Sequence, residues 1–335
     1  MNAAVLTRPG VIDVVTDRPV PAPGPQDVLV QVSSVGVCGS DAHYYRHGRI
    51  GSFVVSDPLV LGHEAAGHIV AVGDVVPDER IGQRVSIEPQ LPCRVCAQCT
   101  AGRYNLCPDM RFFATPPVDG ALCDFVSVPA SFAHPVRDSI SDDAAALLEP
   151  VSVGVAAVRK AHVGPGDRVL ITGGGPIGAI CAQTAHAFGA REIVVVEPNE
   201  FRRSFVGALP GVTAVGPEHD LTELQADSFL ECSGAQPAIG PGIAAVRPAG
   251  TVVLVGLGLG DAELPVQLIQ NHELTLTGVF RYANTWPLAE ALVGDGVVDV
   301  DSLVTGRFAL DDTAAALDSD RRPDSLKSII SVGTR

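Results

Sequence analysis

Four cysteines, Cys93, Cys96, Cys99 and Cys107, fall in the spacing C-x2-C-x2-C-x7-C between Pro92 and Pro108. Thiolates this close in sequence can converge on one tetrahedral Zn2+ at about 2.3 Å per bond, and a closed sulfur shell leaves no position for substrate. Such a site would be structural. Two disulfides or an iron–sulfur cluster are the other chemistries that four cysteines allow. A second set is dispersed: Cys38 in Gly36-Val-Cys38-Gly-Ser40-Asp41, His63 and Glu64 in Gly62-His-Glu-Ala-Ala-Gly67, and Glu149 in Leu148-Glu-Pro150. One thiolate, one imidazole and a carboxylate can hold a catalytic zinc and leave a position open for water or a substrate oxygen. Taken alone, a single cysteine is usually a core filler and a Gly-His-Glu triplet usually a loop.

A third pattern is Gly173-Gly-Gly175-Pro-Ile177-Gly178, which fits G-x-G-x-x-G, follows the apolar run Val169-Leu-Ile171 and opens a predicted helix. In that context glycine backbones approach a pyrophosphate, and the free N–H groups of the helix start stabilise its charge. Glu197 ends the next predicted strand, 19 residues past Gly178. A carboxylate there accepts the adenosine ribose hydroxyls and repels a 2′-phosphate, which favours NAD over NADP. Arg202 and Arg203 are cations that could soften the preference. The bland alternative is a tight strand–helix turn with a surface glutamate.

These residues need elements to position them. Residues 1–149 alternate short β-rich runs with Pro and Gly, at 27–33, 67–73, 84–88 and 123–128, the texture of a β-rich domain with long functional loops. From residue 150 the chain alternates apolar strands with Ala-rich helices, with strands expected at 168–172, 192–197, 228–232, 250–256 and 273–278. That order predicts a parallel sheet buried on both faces. After Trp286 come a helix and terminal strands at 307–310 and 327–332. The expected division is 1–149 with 286–335 for one domain and 150–285 for the nucleotide domain. With 335 residues the chain is long enough for two cores.

Composition bounds the partners. The mean hydropathy of +0.27 and 46% hydrophobic content describe a well-buried globular protein. Lys and Arg total 23 against 38 Asp and Glu, a formal charge of −15, which repels nucleic acid and anionic membranes. No apolar run is long enough to span a bilayer, and the opening MNAAVLTRPG lacks a signal-peptide pattern, so the expected location is cytoplasmic. In that reducing compartment eight cysteines are better explained by metal than by disulfides.

The order of the Cys38, His63-Glu64, four-cysteine, Leu148-Glu-Pro150 and glycine motifs resembles the zinc-containing medium-chain dehydrogenases/reductases. Residues 43–51, 102–109, 114–117 and 279–287 are similar to the sorbitol and xylitol dehydrogenase branch. The resemblance implies an α/β architecture, a GroES-like β-rich catalytic domain interrupted in sequence by a Rossmann domain. It also implies NAD, two zincs per subunit, a small polyol substrate and a dimer or tetramer. Carried over by motif, Cys38, His63 and Glu64 match the catalytic zinc ligands, and Glu149 a carboxylate that binds the metal's water or exchanges as a ligand. Cys93, Cys96, Cys99 and Cys107 match the structural zinc loop. Asp41 matches an acid oriented toward the zinc histidine. Ser40 and His43 resemble a proton relay. Tyr44, Phe112, Glu149, Arg281 and Tyr282 match substrate-pocket positions. Gly173, Gly175, Ile177, Gly178, Glu197, Arg202, Val255, Gly256, Leu257, Val279, Phe280 and Arg281 match cofactor positions. Residues 198–228 are shorter than the family carries, so the usual helix–strand–helix there looks trimmed. The implied activity is oxidation of a polyol's secondary hydroxyl to a ketose with hydride transfer to NAD. A threonine, butanediol or cyclitol dehydrogenase on the same scaffold, and a non-catalytic NAD-binding redox sensor, are the competing readings.

Overall fold

The computed structural model describes residues 1–257 and 261–333. The chain divides into two compact units, Met1–Glu149 with Val300–Arg335, and Pro150–Asp299. The sequence-based boundary at 286 differs from this division. Helix Trp286–Gly294 and the turn after it stay with the second unit, because the Gln183 side chain bonds both the N–H (2.7 Å) and the C=O (3.1 Å) of Asp299. Trp286 is also buried there, edge-on to Tyr282 at 5.4 Å.

In the first unit, among the described residues, a seven-stranded sheet runs Ala133–Pro135, Arg84–Ile87, Glu64–Val72, Asp27–Gly36, Lys327–Ser331, Val304–Ala309, with Phe125–Pro129 also paired to Asp27–Gly36. Val28, Val30, Val32 and Val35 of the long strand are fully buried among Leu6, Ile69, Ile87, Leu122 and Ile330. That apolar packing fixes the strand's register, since a one-residue slip would turn these valines outward. In that register Gly36 lies opposite Glu64 on one side and Ile329 on the other. The C-terminal strand is therefore built into the N-terminal sheet. Strands Ala3–Arg8 and Val11–Val15, which the sequence reading did not single out, pair with Leu59–Val60 in a separate small sheet.

Among the described residues the second unit holds a six-stranded parallel sheet in the order Val212–Val215, Glu192–Val196, Arg168–Thr172, Ala226–Glu231, Val246–Leu254, Thr275–Gly278. In chain order this is 3-2-1-4-5-6, the doubly wound dinucleotide-binding arrangement. Leu170, Phe229, Ile243 and Val252 form its core. Within the shortened 198–228 region, helix Glu200–Gly207 and strand Val212–Val215 are both present. The trimming falls on the crossover after that strand, where residues 216–225 carry no helix. Among the described residues no helix is long and apolar enough to cross a membrane.

Candidate active site

Cys38 follows the strand Asp27–Gly36 and caps the helix Gly39–His47. Glu64 opens the strand opposite, three residues earlier than the sequence pattern placed its start, and His63 immediately precedes it. The Gly36–Glu64 register thus brings one ligand atom each of Cys38, His63 and Glu64 within 4.8 Å of one another. Asp41 organises this corner. Its carboxylate accepts the N–H groups of Cys38 (3.3 Å) and Gly62 (3.0 Å) and lies 3.4 Å from Nδ1 of His63. Burial pushes the Asp41 carboxyl up, but the His63 charge and these donors outweigh it and hold it below its ordinary value. For His63, burial opposes the charged form, yet Asp41 and Cys38 raise its value well above normal. With Nδ1 fixed by Asp41, Nε2 is the nitrogen left for a metal.

Glu64 and His63 are buried and Cys38 is half-buried. One Glu64 oxygen, Oε1, accepts a 2.6 Å bond from the buried ammonium of Lys327, which also donates to the Val37 carbonyl at 2.9 Å. The other, Oε2, is buried with no hydrogen-bond partner. An orphaned carboxylate oxygen beside a thiol and an imidazole is what a three-ligand zinc site would leave when described without its ion, so the residues fit the metal. Burial opposes the Lys327 charge, but Glu64, Cys38 and Glu149 together raise its value. Glu149 is buried and acts electrostatically on Lys327, while lying outside the three-residue ligand set. Sequence reasoning missed Lys327. The available signal was a cation opening an apolar strand, Lys327-Ser-Ile-Ile, since lysines are rarely buried unless paired.

The four loop cysteines converge as well, with one sulfur from each within 4.8 Å of the others. Cys93 and Cys99 are 4.0 Å apart at sulfur, far beyond a disulfide bond and close to the roughly 3.8 Å edge of a tetrahedron with 2.3 Å metal–sulfur bonds. N–H donors of Val95 and Cys96 pull the Cys93 thiol down to about 7, whereas burial and the neighbouring thiols push Cys99 up to about 12. The loop is tied down by Glu88, which accepts Tyr104 (2.8 Å), Gln90 (3.1 Å) and His134 (2.9 Å).

In the second unit, the predicted cofactor residues gather beyond the carboxyl ends of the parallel strands, where such sheets bind ligands. Gly173 to Gly178 follow Arg168–Thr172 and open helix Pro176–Ala187. A Cβ at Gly178 would lie 1.8 Å from the Gly173 carbonyl, so only glycine permits this turn. Glu197 accepts the N–H groups of Gly174 (2.6 Å) and Asn199 (2.7 Å), which fixes its carboxylate against the glycine turn. The Arg202 guanidinium is about 4.0 Å from where a Gly175 Cβ would be. Val255 and Gly256 donate to the Glu231 carbonyl, and Val279 to Leu254. Leu257 and Phe280 are exposed. Glu231, which the sequence reading did not single out, is a buried carboxylate that accepts the N–H groups of Ser233 and Gly234 and so shapes the loop after its strand.

Of the remaining predicted residues, Phe112 is brought to the metal corner, its ring 5.5 Å from that of His63. Ser40 and His43 lie on the helix that Cys38 caps, and Tyr44 of the same helix is buried. Burial, reinforced by the charges of His47 and Arg46, lowers the His43 value. Arg281 stacks its guanidinium over the Phe280 ring at 4.7 Å, while Tyr282 is buried against Trp286 in the second unit.

A parallel dinucleotide-type sheet and a β-rich unit carrying an open Cys–His–Glu cluster are the parts of a nucleotide-dependent metallo-oxidoreductase. Residues 24–138 match the alcohol dehydrogenase GroES-like domain and residues 176–294 the zinc-binding dehydrogenase domain. The chain belongs to the zinc-binding dehydrogenase family. It is 41% identical to the probable D-xylulose reductase A of Neosartorya fischeri, over 94% of this chain and 92% of that protein. It is also 41% identical to the sorbitol dehydrogenase of Bos taurus, over 93% and 91%. An Escherichia coli oxidoreductase of unknown specificity superposes with a TM-score of 0.94 at 33% identity, covering 99% of both chains. Zinc and a nicotinamide cofactor are the family's working groups.

Proposed function

We propose that this chain is an NAD-linked zinc polyol dehydrogenase that interconverts a secondary hydroxyl of a sugar alcohol and the corresponding ketose. The observation that carries this reading is the converging Cys38–His63–Glu64 set with the orphaned, buried Glu64 Oε2. Two relatives named for polyol or ketose chemistry support the substrate class. When bound at these groups, zinc acidifies a hydroxyl and polarises a carbonyl, and the nicotinamide accepts the hydride.

The chain's own residues do the rest. Asp41 holds the His63 tautomer, and the Phe112 ring walls one side of that imidazole. Glu149, buried and in the electrostatic reach of Lys327, is the carboxylate that would hold a water beside the metal or exchange with it as a ligand. Ser40 and His43 form the proton relay; burial and the charges of His47 and Arg46 disfavour the charged form of His43. By the family resemblance, Arg281 and Tyr282 are the positions that would bond further hydroxyls of a polyol. Glu197 favours NAD over NADP by receiving the ribose hydroxyls. The four-cysteine loop takes a second, structural zinc. Eight free cysteines suit the cytoplasm, and the family resemblance supports a homodimer or tetramer.

Initial rates with xylitol, sorbitol, threonine and 2,3-butanediol, each with NAD and NADP, test the proposal. Turnover of polyols with NAD is expected. Activity confined to threonine or butanediol, or a preference for NADP, refutes the corresponding part.

A further inference from the structure

We propose that Lys327 is the internal counter-ion of the catalytic metal site: it takes the place of the metal's charge in the metal-free chain and limits Glu64 to one ligand oxygen. This rests on the assignment of Cys38, His63 and Glu64 as the zinc site. Its Nζ is buried, 2.6 Å from Glu64 Oε1 and 2.9 Å from the carbonyl of Val37, the residue beside Cys38. Glu64, Cys38 and Glu149 all act electrostatically on this one ammonium and favour its charged form. Without metal, a buried carboxylate lacking such a partner would be an uncompensated charge, among the costliest defects in a protein interior.

The geometry also divides the carboxylate's two oxygens between two jobs. Oε1 accepts the Lys327 ammonium, and Oε2 is buried, unpartnered and pressed toward Gly36, where a Cβ would come within 2.0 Å of it. The glycine lies against Oε2 and the lysine against Oε1, so each oxygen has its own neighbour and Oε2 is the one left to serve as a donor. Zinc entering this site meets a fixed cation nearby and a carboxylate already half-neutralised. Lys327 therefore stabilises the metal-free form and weakens metal binding, which keeps Glu64 a moderate and exchangeable ligand. Lys327 is a positioning residue in this scheme, since it acts through Glu64.

The test compares wild type with Lys327→Met, Lys327→Gln and Lys327→Arg in the full chain. Zinc affinity is read by chelator competition, with the four-cysteine site as the internal reference. Thermal unfolding is read with and without zinc. Lys327→Met and Lys327→Gln are expected to bind the catalytic zinc at least ten-fold more tightly and to lose more stability in the metal-free than in the zinc-loaded form. Lys327→Arg is expected to stay near wild type in both readouts. Equal or weaker zinc affinity in the neutral variants, or equal stability losses with and without zinc, overturns the inference. If Lys327→Met fails to fold without zinc but folds when refolded with zinc, that supports it; failure under both conditions leaves the decision to Lys327→Gln, whose affinity reads the same way. Cys38→Ser separates the two levels of argument. If it loses no zinc, the site assignment fails; if it loses one zinc while the Lys327 variants keep wild-type affinity, only the role of Lys327 fails.

Discussion

Gly36 sits where two strands and a metal ligand meet, and its replacement by alanine gives a worked test of the site. A Cβ there would lie 2.0 Å from Glu64 Oε2, 3.0 Å from Leu147 Cδ2 and 3.1 Å from Glu64 Cβ. Real Cβ contacts stay beyond 3.0 Å, so the carboxylate must retreat by about 1 Å, with Leu147 already at its limit. Moving Glu64 that far takes its 2.6 Å bond to Lys327 out of hydrogen-bond range. Separating a fully buried ion pair costs about 3–5 kcal/mol, and partial relaxation of the strand end brings the expected loss to about 3 kcal/mol. At about 2–4 °C per kcal/mol, the melting temperature should fall by about 6–12 °C. Displacing Oε2 also removes a zinc donor, so metal analysis should give one zinc per chain, retained by the cysteine loop, and turnover should vanish. Gly39→Ala is the control, because a Cβ there meets nothing within 4 Å. A Gly36→Ala protein that keeps two zincs and the wild-type melting temperature would falsify the assignment of Glu64 Oε2 as a ligand.

Other positions give independent checks. Gly178→Ala places a methyl 1.8 Å from the Gly173 carbonyl and should weaken NAD binding, measured by calorimetry, by at least about ten-fold while leaving zinc content unchanged; unchanged affinity would count against the glycine turn as the pyrophosphate site. Glu88→Leu leaves Tyr104, Gln90 and His134 without their shared acceptor, at a cost of about 3 kcal/mol. The cysteine-loop zinc should then be lost to chelator first, and parallel loss of both zincs would contradict that role for Glu88. Asp227 accepts the Arg168 N–H and the Arg247 guanidinium, which together overcome burial and hold its carboxyl below the ordinary value. A depressed native value contributes stability that is full above the unfolded value near 3.9 and fades as pH falls through the native one. The urea-midpoint difference between wild type and Asp227→Asn, worth about 1 kcal/mol given partial exposure, should therefore be constant from pH 8 to 5 and shrink below about pH 4. A difference that grows on acidification would reverse the sign of this argument.

Legibility in the sequence followed the distance over which each feature is determined. The cysteine loop and the glycine turn are closed by local geometry, so spacing exposed the first and spacing with its strand–helix context the second; the four sulfurs converge, and the Gly173–Gly178 turn is closed as only glycine allows. Cys38 and His63 are joined by strand register, which spacing does not encode; the family resemblance supplied what the pattern could not. Glu64 was read within a loop, but its backbone already belongs to the strand opposite Gly36. Lys327 stayed hidden because it answers Glu64 across 263 residues, and a lysine in an apolar strand looks like an edge residue until its partner is known. Strand Val212–Val215 was missed for another reason: four residues in a shortened region give too little periodicity to separate from a loop.

Because Lys327 and the strand it opens are built into the sheet that carries Glu64, the site has an order of birth as well as a geometry. During synthesis at about 5–20 residues per second, Glu64 leaves the ribosome roughly 13 to 53 seconds before the residue that neutralises it, 263 positions later. For that interval the nascent first unit has an open sheet edge along residues 34–36 and an acidic pocket with no fixed cation. A free metal ion would meet less opposition there than in the finished protein. A chain truncated before Lys327 would keep Cys38, His63 and Glu64 yet lack the ammonium that neutralises Glu64 and the strand that carries it, so its metal site would be present without its counter-charge.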